Sequence, residues 1–213
     1  MADKPLWTWD GKRYHDSATG RYIGIDKMNS LREDFFNQQK EIVAGYAERY
    51  RVGSMSLEQL ESAMRLQIKN AYIDMYALGA GGRGNMTQSD WGRIGAMLKE
   101  QYGQNGYLRG FMESIASGNL SEAQIVARMN MYINSANQAL WKGHAKDLPI
   151  DLPAYPGDGS TVCLTNCRCT WDLRPVADGI DAYWQLGKSE HCPDCVERSQ
   201  KWSPYKIRVQ GGE

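Results

Sequence analysis

Five cysteines are the residues of this chain whose types and spacing best suit chemistry, and all of them lie in its last quarter. Cys163, Cys167 and Cys169 form one cluster, and Cys192 and Cys195 form a second one after a gap of 22 residues. Two short cysteine pairs joined by a loop suit one tetrahedral Zn²⁺, because each pair supplies two thiolates and the loop lets the chain fold back. The sequence therefore predicts one structural zinc ion, with five thiols as candidates for its four positions.

The second cluster is the stronger of the two signals. The Pro-Asp insert between Cys192 and Cys195 favours a tight turn that places both sulfurs on one side. Three thiols are available in the first cluster where two are needed, so we expect one spare thiol. His191 is expected to lie in solvent or to hydrogen-bond a ligand, because two adjacent residues seldom both reach one ion. Two disulfides with one free cysteine are the alternative, although clustered cysteines in intracellular proteins more often bind metal.

The composition favours an intracellular protein without a strong overall field. Residues 1–5 have no apolar stretch of the kind that signal peptides carry, and no run approaches the ~18 apolar residues of a membrane helix. Lys and Arg together number 25, equal to Asp and Glu, which gives no net charge for holding nucleic acid. Seven Trp and twelve Tyr supply large contact areas for a core or for protein interfaces.

Residues 29–147 are predicted to form a bundle of about four helices. Four capping boxes mark the helix starts: Ser30 with Glu33, Ser56 with Gln59, Thr87 with Asp90, and Ser121 with Gln124. Apolar residues then recur at spacings of three and four, as one face of a helix requires. For the first helix this stripe is Leu31, Phe35, Ile42, Tyr46 and Tyr50. Gly103 and Gly106 are expected to break or kink the third helix.

The two flanks differ from the bundle in composition. Residues 1–28 suit a short hairpin with a turn near residues 16–20, or an extended arm. Pro149, Pro153 and Pro156 mark a boundary, and residues 148–213 form the predicted cysteine-rich zinc-binding module. Within it, residues 170–173 and 182–186 suit short strands, and the tail from Trp202 onward shows little regular pattern. The predicted fold class is mainly α, with the helical bundle followed by a small zinc-stapled β or α/β module.

No catalytic motif supports an enzyme. Gly79, Gly81 and Gly84 match the dinucleotide fingerprint by spacing, but they follow a helical stripe and not a strand, so we expect a loop that ends one helix. A zinc deaminase needs a ligand with a glutamate two residues later, and then a Pro-Cys-x-x-Cys pair. Cys163, Cys167 and Cys169 have no such glutamate, and the Cys192–Cys195 pair lacks the preceding proline. We therefore expect a protein that is not an enzyme.

Four further residues carry expectations of their own. His144, in the last turn of the fourth helix, is expected to interact with the helix C-terminus. Arg168, between two candidate ligands, either donates to thiolates or lies in solvent. Trp7 and Trp9 precede the first helix, where aromatic side chains suit docking on a partner.

Several motifs resemble those of one family of virion proteins. The box Asn166-Cys-Arg-Cys169 and the turn His191-Cys192-x-x-Cys195 are similar to the Cys-rich module of tailed-phage head-morphogenesis, or minor head, proteins. The segments 13–22, 86–102 and 118–132 also resemble phage virion proteins, so the resemblance touches most of the chain. In many members of the family the Cys-x-x-Cys turn comes before the Asn-Cys-Arg-Cys box, whereas here the order is reversed. A zinc site tolerates this permutation, because only spatial convergence of the ligands matters.

The resemblance implies a minor structural protein of the phage head, associated with the portal or the inner capsid surface. Its partners would be portal or capsid proteins, with self-association as a further contact and with no membrane. Its location would be the virion head, and the host cytoplasm during assembly.

The alternative function is a zinc-dependent nucleic-acid-binding protein, packaged with or acting on phage DNA. Its basic face would consist of Arg168, Arg174, Lys188, Arg198, Lys201, Lys206 and Arg208. Acidic residues are interspersed among them and dilute the positive field, so nucleic-acid contact is not favoured.

Overall fold

The computed structural model describes residues 7–9, 14–188 and 190–208. Parts of the predicted N-terminal arm (1–6 and 10–13) and the end of the tail (209–213) lie outside the described residues, as do the side chains of Trp9 and Tyr14. The described chain is mainly helical and has two small antiparallel sheets. Its helices are α1 (Ile25–Arg51), α2 (Leu57–Gly79), α3 (Gln88–Tyr102), α4 (Tyr107–Ala116), α5 (Glu122–Asn134), α6 (Asn137–His144) and α7 (Pro193–Lys201). Its strands are β1 (Trp7–Trp9), β2 (Tyr14–Asp16), β3 (Tyr22–Ile23), β4 (Thr170–Val176), β5 (Gly179–Gln185) and β6 (Tyr205–Arg208).

Three of the four predicted capping boxes are confirmed. The Ser56 hydroxyl accepts from the Gln59 backbone N–H at 3.2 Å, and the Gln59 side chain accepts from the Ser56 N–H at 2.9 Å. The boxes that begin α3 and α5 have the same two-way pattern. The Ser30 box is wrong, because α1 already begins at Ile25 after Gly24 and Ser30 lies inside the helix.

The early start of α1 goes with a different buried row from the one predicted. The predicted stripe of Leu31, Phe35, Ile42, Tyr46 and Tyr50 is only half-buried. The buried residues lie beside it: Met28, Arg32, Phe36, Gln39, Val43 and Ala47. Two of the six are polar, so a search for apolar residues missed this row. It took the neighbouring row, at the edge of the buried face, for the centre of that face.

The predicted count of about four helices is not confirmed, because the segment from α1 to α6 contains six helices in the part of the chain described. The break at Gly103 and Gly106 is confirmed, since α3 ends at Tyr102 and α4 begins at Tyr107. The last predicted helix is interrupted at residues 135–136, which separates α5 from α6.

Helix α2 lies at the centre of the helical part and packs closely against α6. A Cβ atom added to Gly143 of α6 would lie 2.3 Å from the Tyr76 carbonyl oxygen of α2. A Cβ atom added to Gly79 would lie 1.9 Å from the Leu140 carbonyl oxygen. The two glycines therefore let the backbones of α2 and α6 touch. The prediction that Gly79 ends a helix, and that a glycine loop precedes Thr87, is confirmed.

The N-terminal hairpin is confirmed, but its first strand is not a free arm. Asp16 begins the predicted turn, and its carboxylate accepts from the backbone N–H groups of Ala18 and Thr19 at 3.0 and 2.7 Å. Trp7 is only 3% exposed, and its backbone N–H donates to the Gly81 carbonyl at 3.0 Å. The interpretation of Trp7 as an anchor for a partner is therefore wrong, because its indole packs on the loop after α2.

The C-terminal segment forms a three-stranded sheet with order β4-β5-β6, and α7 precedes its last strand. The two predicted strands are confirmed and extend further than expected. The expectation of an irregular tail is wrong, since β6 pairs with β5 through partners such as Ile207 and Ile180. Three indoles explain why: Trp171, Trp184 and Trp202 lie with ring centroids 5.2–5.7 Å apart. Aromatic pairs at this distance add stability beyond the apolar area they bury.

The proline-containing segment after α6 packs against the helices. Leu152, Ala154 and Tyr155 are buried, and the Trp171 indole N–H donates to the Ala154 carbonyl at 2.9 Å. The division into residues 1–28, 29–147 and 148–213 stays a prediction. Among the residues that the structure describes, no helix combines the length and apolar character needed to cross a membrane.

Candidate metal centre

The five cysteine side chains converge from three segments of the C-terminal sheet region. Cys163 precedes a short 3-10 turn (Leu164–Asn166), and Cys167 and Cys169 follow it on the way into β4. Cys192 is the N-cap residue of α7, and Cys195 lies in the first turn of that helix. The tight turn expected from the Pro-Asp insert is therefore the first turn of a helix.

Three of the distances between sulfurs match those of thiolates around one ion. The Sγ atom of Cys195 lies 3.9 Å from that of Cys163 and 3.7 Å from that of Cys167, and Cys163 and Cys192 are 3.7 Å apart. Zinc–sulfur bonds of about 2.3 Å in a tetrahedron place sulfurs about 3.8 Å apart. A disulfide requires about 2.05 Å, and all five cysteines are free thiols in the described chain.

Cys195 is the common member of two groups of three thiols. Cys163, Cys192 and Cys195 form one group, and Cys167, Cys169 and Cys195 form the other, with all sulfurs of a group within 4.8 Å of one another. The five predicted ligands are therefore brought together, close enough to hold a metal ion. His191 is exposed and belongs to neither group of described residues.

The start of α7 presents Cys192 in a form ready to bind a cation. Burial acts to raise the pKa of its thiol, but the backbone N–H groups of Cys195 and Cys163 donate to the sulfur, and the net effect lowers the pKa. Asp194 ties this turn to the first cysteine cluster, since its carboxylate accepts from the Val162 N–H at 2.8 Å. Pro193 occupies the first helical position, where its fixed φ suits the helix and a backbone N–H would have no partner within the helix.

The two innermost thiols have the opposite tendency. A hydrogen bond with Cys169, followed by burial, raises the pKa of Cys167, and burial raises the pKa of Cys195. Thiols with raised pKa values stay protonated at neutral pH unless a cation replaces the proton, because a metal ligand must be a thiolate. The inner half of the cluster therefore favours an ion over separate thiolates.

Hydrogen bonds from α5 and α6 hold the first cysteine cluster in place. Asn137, which is fully buried, donates from Nδ2 to the carbonyl oxygens of Pro156 and Cys167 at 3.1 and 3.2 Å. Asn134 donates to the Asn166 side chain at 2.8 Å. Sequence analysis missed both residues, because no motif marks them and an asparagine within a helix is usually expected at the surface.

Arg168, for which the sequence left contact with thiolates or with solvent open, lies over α1. Its guanidinium carbon is 5.7 Å from the centre of the Phe36 ring. Burial, followed by the charge of Arg168, lowers the pKa of the neighbouring Arg32 to about 10, while the charges of Glu33, Cys167 and Cys169 act in the opposite direction. Sequence reasoning missed Arg32, because a charged residue in an amphipathic helix is expected on the solvent side.

His144 lies in the last turn of α6 as expected, but as a neutral residue. Burial lowers its pKa to about 4, with Asp172 acting in the opposite direction. Its ring meets the edge of Trp141 at 5.8 Å between centroids. An interaction of a charged His144 with the helix C-terminus is therefore not expected near neutral pH.

Comparison of this chain with models of protein families, with curated proteins and with solved structures found no match.

Proposed function

We propose that the cysteine cluster binds one structural Zn²⁺ through Cys163, Cys167, Cys192 and Cys195. The observation that carries this proposal is the set of three sulfur–sulfur distances of 3.7–3.9 Å that links these four residues through Cys163 and Cys195. Cys169 is the spare thiol in this proposal, since none of these three short distances includes it. Four thiolates fill a tetrahedral ion, and closed sites of this kind are structural.

Metal content tests this assignment directly. Full-length protein purified without chelator should carry one zinc per chain by elemental analysis, and native mass spectrometry should show the same ratio. Cys195→Ser should lose the metal, because Cys195 is shared by both thiol groups. Cys169→Ser is the matched control and should keep it. Stoichiometric metal in Cys195→Ser, or its loss in Cys169→Ser alone, would show that the ligand set is wrong.

For the whole chain we propose a minor structural protein of a tailed-phage head that acts through contacts with portal or capsid proteins. Support comes from the resemblance in the Asn166-Cys-Arg-Cys169 box and the Cys192-x-x-Cys195 turn, and from a metal cluster that joins a loop, a sheet and a helix. Exposed apolar side chains offer contact area, among them Tyr22 (59% exposed), Tyr107 and Val162. Trp7 does not contribute, since it is buried against the chain itself.

Nucleic-acid binding through the basic face is the second candidate, and ion pairs within the face weaken it. Arg174 pairs with Asp172 at 2.7 Å, and Arg208 pairs with Asp178 and Asp181 at 3.1 and 2.8 Å. Guanidinium groups that are already paired release fewer counterions on binding phosphate.

Location in the particle separates the two candidates. Cryo-EM of intact heads should place this chain against the portal or the inner capsid surface, and the purified protein should show no steep salt dependence in a DNA-binding assay. Absence of the chain from purified heads would contradict the structural proposal. Binding of DNA that weakens steeply with salt would favour the second candidate.

A further inference from the structure

A groove of about 950 Å³ separates α1 from the cysteine-rich region. Asn29, Arg32 and Phe36 line it from α1, and Arg168, Gln185 and Lys188 line it from the opposite side. The α1 residues recur at spacings of three and four, so one face of the helix forms this wall. The groove is open to solvent. Arg168 connects it to the cysteine cluster, because this residue lies between Cys167 and Cys169 in the chain.

Arg32 forms the buried part of this wall, and two of its guanidinium nitrogens lack a hydrogen bond among the described residues, although the charge of Glu33 acts on the group. The residue is 3% exposed, and within the described chain its Nε and Nη1 atoms have no hydrogen-bond partner. Asn29, one helical turn earlier, also has a buried side-chain oxygen without a partner among the described residues. Leaving a charged donor buried and unpaired costs several kcal/mol, so such groups are normally paired with an anion.

The charge of the groove favours a divalent anion. Five lining side chains are cationic, namely Arg32, Lys40, Arg168, Arg174 and Lys188, and three carboxylates leave a net charge of +2. Asp172, one of these carboxylates, is already paired with Arg174 at 2.7 Å. The other four cations form no ion pair among the described residues and remain available to a ligand, and Arg32 is the buried one.

We propose that this groove is a binding site for a phosphate group, held by Arg32 and Arg168 and reached past Lys188. Guanidinium groups match phosphate oxygens with paired, charge-assisted hydrogen bonds. A phosphate dianion balances the charge of two arginines, whereas a single carboxylate balances half of it. The charge match favours a free phosphate or phosphate monoester over a nucleic-acid backbone, because each phosphodiester of a backbone carries one negative charge, and the experiment distinguishes these sources.

The metal centre offers a competing explanation for Arg32. Four thiolates around a divalent ion carry a net charge of −2, and the charges of Cys167 and Cys169 act on Arg32. Arg32 could then balance the metal cluster and leave no need for a ligand. The two explanations differ in what the loss of Arg32 changes, which is phosphate affinity in one case and metal affinity in the other.

Titration calorimetry on the full-length, zinc-loaded protein tests the proposal, with inorganic phosphate as one probe and a short single-stranded oligonucleotide as the other. Chloride at matched ionic strength corrects for general screening. Arg32→Gln should reduce phosphate affinity by about tenfold or more, because it removes charge-assisted hydrogen bonds from a buried site. Lys188→Gln should reduce it by roughly threefold, as expected for an exposed rim charge. Arg49→Gln, an exposed site on the same helix away from the groove, should leave it unchanged.

Each outcome decides the proposal. Binding of either probe that depends on Arg32 and Lys188 supports it, and the tighter probe identifies the source of the phosphate. If neither probe binds at about 10 mM, or if Arg49→Gln weakens binding as much as Arg32→Gln, the proposal is wrong. It is equally overturned if Arg32→Gln lowers zinc affinity and leaves phosphate binding intact. Should Arg32→Gln fail to fold, Lys188→Gln still tests whether phosphate binds in the groove. An unchanged phosphate affinity in that variant would then overturn the proposal.

Discussion

Replacement of Gly143 by alanine should destabilise the protein, because this glycine sits where α6 touches the backbone of α2. The added Cβ would lie 2.3 Å from the Tyr76 carbonyl oxygen and 3.2 Å from the Ala80 nitrogen. Carbon and oxygen atoms in contact normally lie more than 3 Å apart, and a backbone carbonyl in a helix cannot swing away. The two helices would have to separate by about 1 Å along their contact, which breaks close packing on both sides.

The size of the effect follows from two opposing contributions. Overpacking of a dense interface costs about 1–3 kcal/mol or more. Alanine is favoured over glycine in a helix interior by about 1 kcal/mol. Because the clash is with a backbone carbonyl, the cost should lie at the upper end of this range, about 3 kcal/mol, and we expect Gly143→Ala to lower the free energy of unfolding by about 2 kcal/mol. For a protein of this size, the midpoint of thermal unfolding should fall by about 4–8 °C.

Gly95 in α3 provides a matched control, since a Cβ added there meets nothing within 4 Å. Gly95→Ala should raise the free energy of unfolding by up to about 1 kcal/mol through helix propensity alone. Urea unfolding followed by circular dichroism and tryptophan fluorescence measures both variants. If Gly143→Ala is as stable as the natural protein, or if Gly95→Ala is destabilised equally, the close contact between α2 and α6 does not exist as described.

Three further replacements follow from named contacts. Tyr76→Phe removes the 2.6 Å hydrogen bond to the Asp90 carboxylate and should cost about 2 kcal/mol in urea unfolding. Asn137→Ala leaves two buried carbonyl oxygens without a donor, and it should cost about 2 kcal/mol or more and weaken zinc affinity in a chelator competition. His144 has a pKa of about 4 in the folded chain against 6.5 in the unfolded one, so only the unfolded state gains a proton as pH falls between these values. The free energy of unfolding should therefore fall by up to about 2 kcal/mol between about pH 7 and about pH 5, and His144→Gln should remove this part of the slope.

Exposed positions supply the controls for these replacements. Tyr107→Phe should change stability by less than about 0.5 kcal/mol, because Tyr107 is 69% exposed. Asn119→Ala should behave in the same way, since Asn119 is exposed and its side chain donates to the nearby Ser117 hydroxyl. A loss in either control as large as that in its buried counterpart would refute the role given to the buried hydrogen bond. An unchanged pH slope in His144→Gln would show that another group titrates there.

The sequence predicted local features well because these depend on few neighbouring residues. A capping box needs only a hydroxyl and a side chain three residues later, and the boxes at Ser56, Thr87 and Ser121 follow this rule. Ser30 has the same local pattern, but α1 begins directly after β3, and a longer helix overrides a cap within it. The cysteine cluster was predictable for a similar reason, since thiols seldom occur in close pairs without a shared role.

Features that depend on distant contacts could not be predicted. The position of Trp7 in the sequence suits a partner interface. In the structure, however, its indole packs against Gly81, which lies more than 70 residues away in the chain. The strand β6 alternates between apolar and charged residues but has only four of them, which is a weak signal in a sequence. It is held by pairing with β5 and by Trp202 stacking on Trp171 at 5.7 Å. In both cases the burial of a large aromatic ring outweighs a weak local preference.

A series of contacts through α6 connects the helical core to the candidate metal centre. Gly143 lets α6 lie on the α2 backbone, and this contact fixes the start of α6, where Asn137 donates to the Cys167 carbonyl. Cys167 in turn lies 3.7 Å from Cys195 at the start of α7. A metal ion at this point would hold α7 and the sheet against the helices, while Arg32 and Arg168 face each other across the groove beside it. The position of the proposed phosphate site would therefore depend on the metal, because an ion bound by Cys167 would fix the segment that carries Arg168.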